Sequence, residues 1–285
     1  MTYLRPNPIT PSDAALLRRK VDAIGMSRYA EYFEGAAQHG IALCSPPPGT
    51  KPFTRSGCAP TVPPGFVWPS SPANDEGGLP HPYAFIAQID LSETAAADVH
   101  GILPPKGLLY FFFESPEGLG GWDKATVFFY PDADAKDTVE YDMTDPMIVA
   151  YTKGWSRGPH QYFGRDASYY GAVGKATVAE PYLWALTRQG ADIPEEIWDA
   201  DYPSWDLDID AARPDYMLLL GTDTEGPGDM EGEGPFEPWS PTQSSRLLFS
   251  PGDWVHCECP AFFFIDDAKL AAGDFSDVDV RTPQH

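Results

Sequence analysis

The sequence is poor in positive charge. It holds 19 Lys and Arg against 42 Asp and Glu, which leaves a formal net charge of −23. A field of that sign repels phosphate backbones and anionic lipid surfaces, so neither nucleic acid nor membrane is an expected partner, whereas a basic protein is attracted. Long apolar runs are also missing. No segment approaches the roughly 20 apolar residues that cross a bilayer, and MTYLRPNPITPSDAALLRRK at the start lacks the apolar stretch of a signal peptide. A cytoplasmic location is therefore the expectation. Cysteine is scarce, with Cys44, Cys58, Cys257 and Cys259 as the four in 285 residues. Without secretory features, so few point to reduced thiols and not to a disulfide framework.

Signatures of common chemistries are lacking as well. The sequence contains no Gly-x-Ser-x-Gly elbow, no phosphate loop and no His-Glu-x-x-His. HCEC at 256–259 gathers His256, Cys257 and Cys259, but zinc takes four ligands, usually from Cys-x-x-Cys or wider pairs. DTEGPGDMEGEGPFE at 223–237 is acidic without the alternating ligands of a calcium loop. No metal and no cofactor is expected, and the acidic stretch reads as a solvated loop or a lure for a basic partner.

What is present is ample apolar and aromatic content, 42% and 13%, enough for a sizeable core, with 31 prolines and 26 glycines that imply many turns and short elements. PSDAALLRRKVDAI at 11–24 places Leu17, Val21 and Ile24 on one helical face behind a Ser12 or Asp13 cap, and RYAEYFEGAAQHG continues the pattern to about residue 40. A Pro/Gly-rich irregular stretch follows. From residue 83 the character is β: YAFIAQIDL, GLLYFFFE (107–114) and ATVFFYP (125–131) are apolar at consecutive positions, as in strands covered on both faces. PYLWALTRQG and IPEEIWDADY read as short helices.

FIAQIDLSE at 85–93 aligns without gaps to LLLGTDTEG at 218–226, and GLLYFFFES at 107–115 to CPAFFFIDD at 259–267, which suggests an internal duplication. The expected fold class is α+β, with a helical segment over 1–45 and one domain over 46–285. That domain would hold two similar, mainly antiparallel halves, about 46–145 and 146–285. Residues 83–91 should pair with 107–114, and 216–222 with 260–265.

SGCAPTVPPGFVWP (56–69), FIAQID and GLLYFFF, taken in order, resemble the YwqG-like bacterial family of unknown function. FFFIDDAKLAAGDFSDV resembles that family's terminal strand and short helix, here Lys269 to Phe275. The match covers most of the chain from about residue 50, although Gly221, Thr222 and Asp223 stand where the family tends to repeat Gln-x-Asp. The resemblance implies a duplicated α+β fold and no reaction.

Candidate binding residues are Gln88, Asp90, His160 and Arg165, and no catalytic residue is assigned. Gln88 and Asp90 share one face of their strand. Asp90 also has a local reason to be there, because Asp90 or Ser92 can cap the helix that LSETAAADV would form, with Glu93 at capping-box spacing from Asp90 and Asp223 as its counterpart in the second half. His160 and Arg165 lie in SRGPHQYFGRD, an irregular segment that mixes basic, aromatic and polar groups. Eight tryptophans, several beside Pro, Gly or Asp, either fill the core under loops or anchor interfaces. Two readings follow. One is a non-enzymatic acidic binding protein, such as a neutralising partner of a basic protein. The other is an enzyme or small-ligand binder with a cleft between the β halves.

Overall fold

The computed structural model of the protein describes residues 7–23, 25–71, 81–113, 125–142, 144–151, 168–178, 194–198, 205–206, 217–220, 245–251 and 262–281. Its helices are α1 (Pro11–Ala23), α2 (Ala30–Ala36), α3 (Leu91–Thr94), α4 (Pro146–Tyr151), α5 (Glu195–Trp198) and α6 (Asp267–Ala272). The first eight strands are β1 (Ala37–Cys44), β2 (Arg55–Ser56), β3 (Thr61–Val62), β4 (Ser70–Ser71), β5 (His81–Pro82), β6 (Ala84–Asp90), β7 (Leu108–Phe113) and β8 (Ala125–Tyr130). The rest are β9 (Val139–Glu140), β10 (Ser168–Tyr169), β11 (Gly171–Val178), β12 (Trp205–Asp206), β13 (Met217–Leu219), β14 (Ser245–Ser250), β15 (Phe262–Asp266) and β16 (Asp279–Arg281). Among the described residues, five strands form one sheet in the order β10-β2-β6-β7-β8, and seven form another, β12-β11-β1-β13-β14-β15-β16. The described pairings are antiparallel in both. The fold is α+β, as the sequence implies.

Consecutive apolar residues in β7 serve both faces of the five-stranded sheet. Leu109, Phe111 and Phe113 join Ile41, Leu43, Leu219, Phe249, Phe263 and Ile265 of the other sheet in one core. Phe111 sits 4.3 Å from Phe249 and 5.3 Å from Phe263 between ring centroids. Leu108, Tyr110 and Phe112 point the other way and pack with Val62, Trp68 and Ile148 beneath the loops. Trp68 therefore fills a core, and its indole N–H donates to the Tyr83 carbonyl at 2.9 Å.

Several expectations need correction. The N-terminal helices stop at Ala36, and residues 37–44 are a fully buried strand between β11 and β13, where Ile41 and Leu43 are core residues. The cap of α1 is Thr10, not Ser12 or Asp13. Its hydroxyl accepts from the Asp13 amide at 3.2 Å while the Asp13 carboxylate accepts from the Thr10 amide at 3.1 Å, a reciprocal box with Pro11 in the first helical position. Residues 84–90 pair with 108–113 as expected. Residues 217–219 and 262–266 share a sheet but do not pair, because SRLLFS forms β14 and inserts between them. The final helix runs from 267 to 272, not from Lys269 to Phe275, since Gly273 turns left-handed at φ +67° and closes it.

Two strand–helix–strand arrangements occur, matching segments other than those that align with one another in the sequence. β6, α3 and β7 make a strand, a capped helix and an antiparallel return strand, and β15, α6 and β16 do the same. Asp90 accepts from the Ser92 amide, and Asp266 from the Ala268 and Lys269 amides. Asp266 thus caps α6 as Asp90 caps α3. Asp223 lies outside the described residues, as do PYLWALTRQG, HCEC and 223–237. Among the described residues no helix is long and apolar enough to cross a membrane, and no group of three metal-ligating side chains occurs.

Candidate functional site

Strand β6 carries its polar residues toward the face covered by residues 53–68. Gln88 is fully buried. Its amide oxygen accepts from the Thr61 N–H at 2.8 Å, and its amide nitrogen donates to the Phe53 carbonyl at 3.0 Å and the Thr61 hydroxyl at 3.1 Å. The Tyr110 hydroxyl, opposite Gln88 on β7, donates to the Thr61 carbonyl at 2.9 Å, and burial pushes that hydroxyl far above its ordinary range. One glutamine and one tyrosine thereby satisfy three backbone groups of an irregular segment, as buried polar groups require.

Asp90 is half-exposed and ends the strand. Its carboxylate accepts from the Ser92 amide at 2.8 Å and the Ser92 hydroxyl at 2.7 Å, and its own N–H donates to the Thr54 hydroxyl at 3.1 Å. The expected capping box does not form. Glu93 instead reaches across to two consecutive backbone amides, Phe53 at 2.8 Å and Thr54 at 2.9 Å. Gln88, Asp90 and Glu93 together fasten residues 53–61 to the sheet. Arg55, opposite Gln88 on β2, donates to the Ala59 carbonyl at 3.0 Å. Its buried Nε is the one buried side-chain polar atom without a partner among the described residues. His160 and Arg165 lie outside the described residues, so of the four candidates the structure brings together Gln88 and Asp90.

Outside this network, residues 131–149 cover the Tyr110 face of the sheet. Tyr141 packs against Trp68 in a tilted arrangement with centroids 4.7 Å apart and donates to Asp145 at 2.8 Å, while Val139 pairs with Val62. The outer side of this cover is charged: exposed Asp132, Asp134, Asp137, Glu140 and Asp142 stand with Lys136 in one segment, which also holds the half-buried Asp145. Asp134 accepts from the Lys136 amide and Asp142 from the Thr144 hydroxyl and amide, which hold both carboxyls below their ordinary range. Solvent also reaches large apolar side chains here, with Val139 57% and Val149 46% exposed, and Val67 on the adjoining loop 78% exposed. The count of acids in PDADAKDTVEYDMTDP was the available sequence signal for this surface.

A cleft of about 640 Å³ opens at the end of the two sheets. Ile102, Leu103, Phe129 and Leu270 make its apolar walls, and Lys106, Asp132, Arg246 and Asp267 its polar ones. Arg246 pairs with Asp267 and donates to Asn7 Oδ1 at 2.7 Å; Lys106 lies 3.4 Å from Asp132. Neither Gln88 nor Asp90 lines it.

Comparison with known proteins gives two findings. Phosphoenolpyruvate carboxykinase (ATP) from two strains of Cereibacter sphaeroides is 30% identical over 112 residues, which is 39% of this chain and 21% of those enzymes. The chain thus spans about a fifth of the length of these curated relatives. A family model described as a domain of unknown function, DUF1963, matches residues 54–206. That match takes in the fastened segment, β6 to β8 and the acidic cover, and the chain belongs to the DUF1963 family.

Proposed function

We propose that this chain is an acidic binding protein that engages a basic protein partner through the outer surface of residues 132–149 and the neighbouring Val67. The observation that carries the reading is the composition of that cover, six carboxylates to one lysine with exposed valines among them. Carboxylates steer a basic partner and suppress acidic ones, while exposed apolar side chains offer area to bury on contact. The net charge of −23 extends the same field over the molecule. The buried polar network around Gln88 supports the reading from the other side, because its groups are occupied in holding the scaffold.

The test is a fluorescence titration of the whole chain with a lysine-rich peptide. Asp132→Asn, Asp137→Asn and Glu140→Gln together should weaken binding by roughly tenfold or more. Glu31→Gln, Glu195→Gln and Asp277→Asn, which change the net charge equally, should have a much smaller effect. Equal losses in the two triple variants would reduce the attraction to bulk charge and remove the surface.

The cleft at the end of the two sheets favours a second reading, a small-ligand binder or enzyme. Saturable binding from a metabolite screen, lost on Phe129→Ala or Leu270→Ala with the fold retained, would support it. The ATP in the name of the carboxykinase relatives needs a phosphate cradle, and this sequence holds no Gly-x-x-x-x-Gly-Lys-Ser/Thr loop to supply one. The order of the SGCAPTVPPGFVWP, FIAQID and GLLYFFF motifs supports a place near the YwqG-like proteins.

A further inference from the structure

We infer that the outer edge of β8 receives an extended, basic segment of a partner protein as an added strand; the inference rests on the proposed acidic binding function and names its mode. β8 pairs with β7 along all six residues and, among the described residues, is the last strand of its sheet. Sheet edges are commonly guarded by shortness, charge or proline. The other end strands of the two large sheets show, among the described residues, two residues each in β10 and β12 and three in β16, two of the last being charged. β8 is six residues of ATVFFY with no charge and no proline. Such an edge is a template for strand addition, in which backbone hydrogen bonds supply affinity and pockets for alternate side chains supply specificity.

A pocket adjoins this edge. Phe129, Pro131 and Asp132 line the cleft at the end of the sheets, so a strand lying along β8 runs past its mouth and can lodge an apolar side chain against Ile102, Leu103 and Leu270. Charge decides the occupant. Asp132, Asp134 and Asp137 follow β8 after Pro131 and favour lysine or arginine at the end of the incoming strand. A second copy of this chain would bring another −23 to the same edge, and self-repulsion opposes that pairing.

The probe is a labelled peptide of alternating valine and threonine with a central leucine and lysines at both ends, compared with a peptide of equal charge carrying proline at alternate positions. The strand-competent peptide should bind the intact chain at least about tenfold more tightly. It should slow amide hydrogen exchange within residues 125–130, and Thr126→Lys, which places a guard charge on a half-exposed position of β8, should weaken it. Equal binding of the two peptides would overturn strand addition and leave the basic-partner reading standing. Failure of both to bind at low salt would overturn both. Dimerisation of the chain through β8, with neither peptide competing, would overturn the choice of occupant.

Discussion

Gln88 and Thr61 hold each other at two points: the Thr61 amide donates to Gln88 Oε1 at 2.8 Å, and Gln88 Nε2 donates to the Thr61 hydroxyl at 3.1 Å. The glutamine is fully buried, so these bonds work without competition from water. Gln88→Ala strands the Thr61 N–H and the Phe53 carbonyl, each at a cost of about 1–3 kcal/mol. Urea unfolding of the variant should show that loss. A change under about 0.5 kcal/mol would mean that the loop closes without this residue.

Asp90 and Glu93 can be separated by substitution. Asp90→Ala should cost about 0.5–2 kcal/mol and Asp90→Asn or Asp90→Ser much less, since both keep an acceptor for the Ser92 amide. Glu93→Gln leaves one acceptor for the two amides of Phe53 and Thr54 and should destabilise more than Asp90→Asn. The reverse order would indicate that Glu93 acts as a local capping residue after all.

Gly107 opens β7 with φ +112°, and a Cβ there would lie 2.6 Å from Phe129 Cε2 and 3.0 Å from the Tyr130 carbonyl oxygen. Gly107→Ala meets both strain and overlap and should cost roughly 1–3 kcal/mol or more. Gly65→Ala, at φ +81° with open space around it, bears the backbone strain alone and should cost less. Thermal melts of the pair check the difference.

Acid should weaken the cover. The Asp142 carboxyl, bonded by the Thr144 hydroxyl and amide, is held below its ordinary range. A lowered folded pKa contributes stability that is present above the unfolded value, about 3.9, and is lost as pH falls through the folded value. Asp142→Asn keeps the acceptor and removes the titration, so its stability should fall less than the wild type's below about pH 4. Parallel acid profiles for the two proteins would contradict this.

The parts of the fold legible in the sequence are those set by neighbours along the chain. LLYFFF reads as a strand covered on both faces, and its alternate residues do enter two cores. Strand order was not legible: nothing local tells LLL at 218–220 to pair with SRLLFS before FFFID. AQHGIALC was hidden because the helical pattern before it runs on without a break, and only pairing on both sides makes it a strand. For the candidate site, the capping role of Asp90 was legible from its place just before LSET, whereas the capping-box spacing of Glu93 misled. The partners of Gln88 stand 27 and 35 residues away and those of Glu93 39 and 40, distances over which periodicity carries no information.

The most direct test of the binding account is the association rate of the lysine-rich peptide with the intact chain, measured by stopped flow at low and at physiological salt. The account expects a rate that falls steeply with salt. It also expects the rate to be roughly tenfold or more slower for Asp132→Asn/Asp137→Asn/Glu140→Gln than for Glu31→Gln/Glu195→Gln/Asp277→Asn. Identical rates for the two variants would contradict it.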